Sequence, residues 1–175
     1  MNLSPRAQVI SIIIVSSIFG VGYNATTPHS LPLIYYKEKV QSVVQKKGES
    51  QQDWNFRIKE QVNIFLNDTI PDAPIKIDLS ITKEMYDRGI IFIDARDEEE
   101  FAEGHIKGAT VAPSTPELVQ LFPDRSSAIV TYCSGGDCDV SQELAEELMY
   151  DWEYERIFVY LGGWPQWESA GFPIE

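Results

Sequence analysis

The chain has 175 residues, enough for one well-filled core and an appendage but too few for two full domains. Its 43% hydrophobic and 23% charged content is ordinary for a globular protein, and its net charge of -13 is concentrated in one half. Residues 76–175 carry 7 Lys or Arg against 21 Asp or Glu, whereas residues 1–75 carry 7 against 6. So acidic a half repels nucleic-acid phosphate, which argues against a DNA or RNA partner, and it slows the approach of anionic substrates. The two cysteines, Cys133 and Cys138, lie in one short segment, so they are not a disulfide scaffold. They could form half a zinc site, but His29 and His105 are distant in sequence, and neither a metal nor a cofactor is expected.

Residues 7–36 contain no charged side chain, and Val9–Gly22 is almost wholly apolar behind Arg6 and the terminal amine. This is the layout of a signal peptide or a single membrane anchor, although the apolar run falls short of the ~20 residues that span a bilayer comfortably. Gly20-Val21-Gly22 is a weak cleavage site, so an uncleaved anchor is favoured over secretion after cleavage. The positive flank predicts that the rest of the chain lies outside the cytoplasm, on the periplasmic side, with Lys37 and Lys39 counting against that orientation.

Pro28, Pro32 and Thr26-Thr27 break any helix after the anchor. From Tyr35 to Lys47, the spacing of Val40, Val43 and Val44 predicts a short amphipathic helix, and Gly48 to Gln52 reads as a loop. Trp54, Phe56 and Ile58 alternate with polar residues, and Val62, Phe65 and Leu66 then follow at helical spacing. Such a segment can pack on the domain or act as a stalk. Pro71 and Pro74 close it, giving an anchor or signal over 1–24, a linker with short helices over 25–74, and a domain over 75–175.

From residue 75 the pattern becomes regular. Strands are expected at Ile75–Ile77, Ile90–Ile93, Ala109–Val111, Ala128–Tyr132 and Ile157–Tyr160, with helices at Thr82–Arg88, Glu98–Glu103, Glu117–Phe122 and Val140–Met149. Gly89 and Pro123 terminate two of the helices. Continuous apolar strands alternating with helices define an α/β fold with a parallel sheet flanked by helices. In such sheets ligands bind beyond the carboxyl ends of the strands, and Cys133 stands at one of those ends.

Cys133 opens the segment Ser134-Gly135-Gly136-Asp137-Cys138-Asp139, which joins a buried strand to a helix. Adjacent glycines let the backbone turn tightly and aim successive N–H groups inward, and the next helix adds its positive end. A thiol in that cup is expected to favour its nucleophilic anion and to be reachable by substrate. The competing interpretation is a small buried hydrophobe.

Ile93-Asp94-Ala95-Arg96, Glu100-Phe101 and Gly104-His105-Ile106-Lys107-Gly108-Ala109 resemble the first signature of the rhodanese family. Leu161-Gly162-Gly163-Trp164, with Trp167, Ala170-Gly171 and Pro173, is similar to the closing signature, and Cys133 sits where the family places its catalytic cysteine. The resemblance covers about residues 76–175 and implies the rhodanese fold with persulfide chemistry on Cys133. Asp94 and Arg96 are expected to pair with each other or tie neighbouring loops, His105 to hydrogen-bond structurally, Gly162 and Gly163 to permit close backbone approach, and Trp164 and Trp167 to pack.

The departures concern the sulfur loop. It is about two residues longer than usual, it lacks a basic residue, and Asp137 and Asp139 flank Cys138. Those carboxylates oppose thiosulfate, and without an Arg the loop is unsuited to phosphate. Cys138 is either a resolving thiol or a packing residue. The leading expectation is a membrane-tethered sulfurtransferase that takes sulfur from a small donor and passes it to a thiol acceptor. The alternatives are a Cys133/Cys138 dithiol–disulfide redox protein and a non-catalytic module that binds a protein partner.

Overall fold

The computed structural model describes residues 40–68, 70–111, 114–136 and 138–175. The expected anchor or signal over 1–24 and Asp137 lie outside the described residues. Among those described, no helix is long and apolar enough to cross a membrane.

Five parallel strands form one sheet: β1 (Ile75–Ile77), β2 (Ile91–Asp94), β3 (Thr110–Val111), β4 (Ala128–Tyr132) and β5 (Arg156–Tyr160). Their spatial order is β1-β5-β4-β2-β3, which puts β4 at the centre. Register runs straight across the middle, with Ile93 beside Thr131 and Thr131 beside Val159.

Side chains alternate across this sheet, so each face receives every second residue. Phe92, Val130, Tyr132, Phe158 and Tyr160 join one core with Ile77, Ile81, Met85 and Trp167. Ile93, Ile129, Ile157 and Val159 join the other, with Leu118, Leu144, Ala145 and Leu148. Burial on both faces explains why these strands read as continuous apolar runs.

Six helices complete the described fold: α1 (Gln51–Asn67), α2 (Leu79–Asp87), α3 (Glu98–Glu103), α4 (Thr115–Leu121), α5 (Val140–Tyr150) and α6 (Gly163–Ser169). Three begin at side-chain caps: Ser50 accepts from the Asp53 amide, Asp78 from that of Ile81, and Asp97 from that of Glu100. Each such cap is worth roughly 0.5–2 kcal/mol.

Two expectations upstream of residue 75 need correction. Residues 40–47 are not helical: Gln41 forms a parallel bridge to Ile77, donating its amide to the Lys76 carbonyl at 2.7 Å and accepting from Asp78 at 3.2 Å. The valines follow the alternation of an extended edge, Val43 buried and Val44 exposed. The second correction concerns Trp54 to Leu66, which is one continuous helix beginning before Trp54. Its buried stripe is Ile58 and Val62, with Trp54, Phe65 and Leu66 half-buried beside them, while Phe56 is exposed. Arg88 locks α1 to α2, donating to the Lys59 carbonyl at 3.1 Å and to Asn63 Oδ1 at 2.6 Å. Full burial of Val62 alone is worth about 1.5–3 kcal/mol.

Candidate functional site

Cys133 follows the central strand β4 at its carboxyl end. Its backbone is held from the first turn of α6, where Trp164 donates its amide to the Cys133 carbonyl at 2.8 Å. Gly135 and Gly163 make that approach feasible. Gly163 has φ +57°, and a Cβ there would run into the Cys133 carbonyl oxygen and the Gly135 amide nitrogen. Gly135 has φ +73°, and a Cβ there would lie 2.6 Å from the Gly162 carbonyl oxygen. The glycines of the closing signature therefore seat the sulfur loop.

The loop turns back so that Cys138 reaches Cys133, and the two form a disulfide with 6.7 Å between their Cα atoms. Cys133 is 2% exposed and Cys138 half-buried. The Cys133 sulfur also receives a hydrogen bond from Ser141 Oγ at 3.3 Å and lies 3.5 Å from the Cys138 carbonyl oxygen. This corrects the expected open, amide-lined cup. In the disulfide form the sulfur is covered, and among the described residues its polar neighbours are a hydroxyl and a carbonyl rather than loop amides. The physical reason is the turn at Gly135 and Gly136, both at positive φ, which folds the loop back and brings Cys138 over the sulfur.

Ser141 was not singled out from sequence. It is buried at the second position of α5, its carbonyl accepting from Thr131 Oγ1 at 2.9 Å. Its position was readable in the periodicity, since 141, 144, 145 and 148 form one buried stripe. A hydroxyl aimed at sulfur from the first turn of a helix supports negative charge there.

The wall beside the sulfur loop is built on a buried ion pair. Arg96 grips the Asp94 carboxylate through Nε at 3.0 and 3.1 Å and through Nη2 at 2.6 Å. Nη2 also donates to the Gly104 carbonyl at 2.8 Å, and the guanidinium stacks over Trp164 at 5.3 Å. Burial works against the Arg96 charge, but the hydrogen bonds and charge of Asp94 outweigh it and hold its pKa above the usual value. Behind the pair, burial and then the Asp94 charge push the Tyr132 phenol far up, keeping it neutral; its oxygen accepts from the Ile106 amide at 3.2 Å. Asp94 and Arg96 thus do both things expected of them, pairing and tying a loop.

His105 stands apart from the sulfur chemistry. Its ring stacks on Phe101 with centroids 3.6 Å apart, and Nδ1 lies 2.9 Å from the Phe101 carbonyl oxygen. Its backbone exchanges hydrogen bonds with Glu175 in both directions. Trp167 is fully buried and donates Nε1 to the Pro173 carbonyl at 2.9 Å.

The sulfur loop is acidic at contact range: Ser134 Oγ donates to Glu100 Oε1 at 3.0 Å, and exposed Asp139 precedes α5. A cleft at the same carboxyl edge has Ala95, Thr115, Val140, Glu143, Leu144 and Glu147 among its lining residues. Cys133 is not among its walls.

A parallel sheet with a cysteine loop after its central strand defines a class, and residues 78–170 match the rhodanese-like domain family. The chain belongs to that family. Among curated relatives, the thiosulfate sulfurtransferase GlpE of Haemophilus influenzae (strain PittEE) is 32% identical over 93 residues, covering 53% of this chain and 86% of the relative. The same-named protein of strain 86-028NP is 31% identical over an equal span. The crystal structure of the BH2092 protein from Bacillus halodurans superposes with a TM-score of 0.51 at 20% identity, covering 71% of this chain and 84% of that one, a likeness of fold. Family and relatives together support a sulfurtransferase-type function.

Proposed function

We propose that the protein carries sulfane sulfur as a persulfide on Cys133 and delivers it to a thiol acceptor. The observation that carries this reading is the placement of Cys133 at the carboxyl end of β4, with the buried Ser141 hydroxyl directed at its sulfur. In the reduced protein the Cys133 thiolate attacks the sulfane sulfur of the donor. The donor's S–S bond breaks, the leaving group departs with the electron pair, and Cys133 holds the persulfide. An acceptor thiolate then takes the outer sulfur, and the Cys133 thiolate returns as leaving group, received by Ser141.

Charge restricts the donor. Glu100 and Asp139 disfavour a dianion, so an organic persulfide, which carries less charge, is a better donor than thiosulfate. The test is to reduce the full chain, offer each donor separately, and weigh the protein. The expected product is one added sulfur on Cys133, absent in Cys133→Ser. Uptake by the Cys133→Ser variant would reject the reading.

The proposal places the reaction outside the cytoplasm, tethered by the 1–24 segment, on the strength of the uncharged run over 7–36 behind Arg6. Fractionation of expressing cells checks it: the chain is expected in the membrane fraction and open to protease added from the extracytoplasmic side.

A further inference from the structure

We propose a second activity, resting on the persulfide reading above: Cys138 reductively releases the sulfur from Cys133 as hydrosulfide, making the protein a sulfane-sulfur reductase. The structure brings Cys138 into bonding contact with the Cys133 sulfur, across a loop whose glycines fold it back. A thiol that reaches this atom in the empty enzyme can reach the same atom when it is the inner sulfur of a persulfide. Attack there is intramolecular across a five-residue separation, which gives Cys138 a large advantage over any thiol arriving from solution.

The step balances. The Cys138 thiol loses its proton and attacks the inner sulfur; the Cys133–Cys138 bond forms as the bond to the outer sulfur breaks. The outer sulfur takes up the proton and leaves with the electron pair as hydrosulfide. The sulfane sulfur is reduced by two electrons, and the two cysteines are oxidised to the disulfide seen here. The proton reaches the outer sulfur before the bond breaks, so hydrosulfide departs, and it leaves readily because hydrogen sulfide is more acidic than an alkyl thiol. An external dithiol reductant closes the cycle: its thiolate attacks the half-buried Cys138, and the covered Cys133 departs as thiolate beside the Ser141 hydroxyl. That direction of attack follows from exposure, since Cys133 is 2% exposed.

Two further observations favour this role for Cys138 over packing. It is half-buried rather than enclosed, so it contributes little to either core cluster. The acidic rim of Glu100 and Asp139 also slows anionic thiol acceptors, which leaves an acceptor built into the loop as the faster route.

The test is a single turnover without added thiol. The reduced full chain receives one equivalent of polysulfide, and in a separate sample one equivalent of thiosulfate; hydrosulfide is trapped and the protein is weighed. The wild-type protein is expected to release about one equivalent of hydrosulfide and end as the Cys133–Cys138 disulfide. Cys138→Ala is expected to keep the added sulfur and to release less than a tenth as much until a dithiol is supplied. If wild type and Cys138→Ala both keep the sulfur, or release hydrosulfide alike, the reductase role is overturned while the persulfide reading stands. Should neither protein take up sulfur from either donor, both readings fall together. Sulfur found on Cys138 would also overturn the proposal, because it would mean attack on the outer atom.

Discussion

Two loops meet at the carboxyl edge of the sheet, and they are held by opposite means. The segment from Asp94 to Gly104 is secured by a buried, doubly hydrogen-bonded ion pair that also grips the Gly104 carbonyl. The segment from Cys133 to Asp139 is held by a backbone bond from Trp164, a hydroxyl on sulfur and a disulfide. Of these last, the disulfide is chemically reversible. The two loops divide the labour: a wall whose geometry is over-determined, against which a loop changes its covalent state.

If that division is right, the wall governs stability and the loop governs chemistry. Arg96→Ala, which strands the fully buried Asp94 carboxylate, is expected to lower unfolding stability by about 3–5 kcal/mol in urea titration. A loss below 1 kcal/mol would mean that the ion pair does not secure the wall. Gly163→Ala comes next, because it forces a Cβ into the Cys133 carbonyl at a positive φ. Its expected cost is about 1–3 kcal/mol, with sulfur uptake by Cys133 at least tenfold slower in stopped reactions weighed by mass spectrometry.

Smaller effects are expected in the sulfur loop. Ser141→Ala removes the hydroxyl donor and is expected to move the pH profile of sulfur uptake up by about one unit, with stability changed by about 1 kcal/mol. An unmoved profile would assign the serine to packing alone. Glu100→Gln removes the carboxylate that accepts from Ser134, the residue after Cys133, and the KM for thiosulfate is expected to fall about two- to fivefold, less at high salt.

A contact outside both loops supplies the smallest effect and serves as a control. Hydrogen bonds from Arg57 hold the Glu49 carboxyl at about 2, against an ordinary 4.5. A depressed carboxylate contributes stability that is complete above pH 4.5 and is lost as pH falls toward 2. Carboxyl titration by NMR is expected to find Glu49 near that low midpoint in the wild type and back in the ordinary range in Arg57→Ala, with sulfur uptake unaffected.

Much of the fold was legible because burial on both sheet faces leaves a plain signal. Ala128–Tyr132 and Glu98–Glu103 appear with the bounds expected of them, one an unbroken apolar run and the other an acidic turn behind an aspartate cap. Residues 40–47 misled because three valines at helical spacing also suit an extended edge strand with one buried position. What decides between them is Gln41's pairing with β1, a long-range contact that local spacing does not encode. Helix α6 was missed behind its Gly-Gly-Trp-Pro opening, which resembles a turn more than a helix. At the site, Cys133, Asp94 and Arg96 stood out by motif. Ser141 did not, since a serine at a helix start reads as a solvent-facing cap, and only its place on the stripe with Leu144 and Leu148 marks it as inward. Whether Cys138 faced the sulfur was open because glycine-rich loops have no periodicity to reveal direction.

The sheet order carries a consequence for biosynthesis. β1, the first strand made, has β5 as its partner, and β5 is the last. A nascent chain therefore waits more than eighty residues of translation before its opening strand can be matched, and until then that strand's edge is exposed. Vectorial emergence through a narrow exit lengthens that delay, because the final hundred residues can collapse together only once all of them are free.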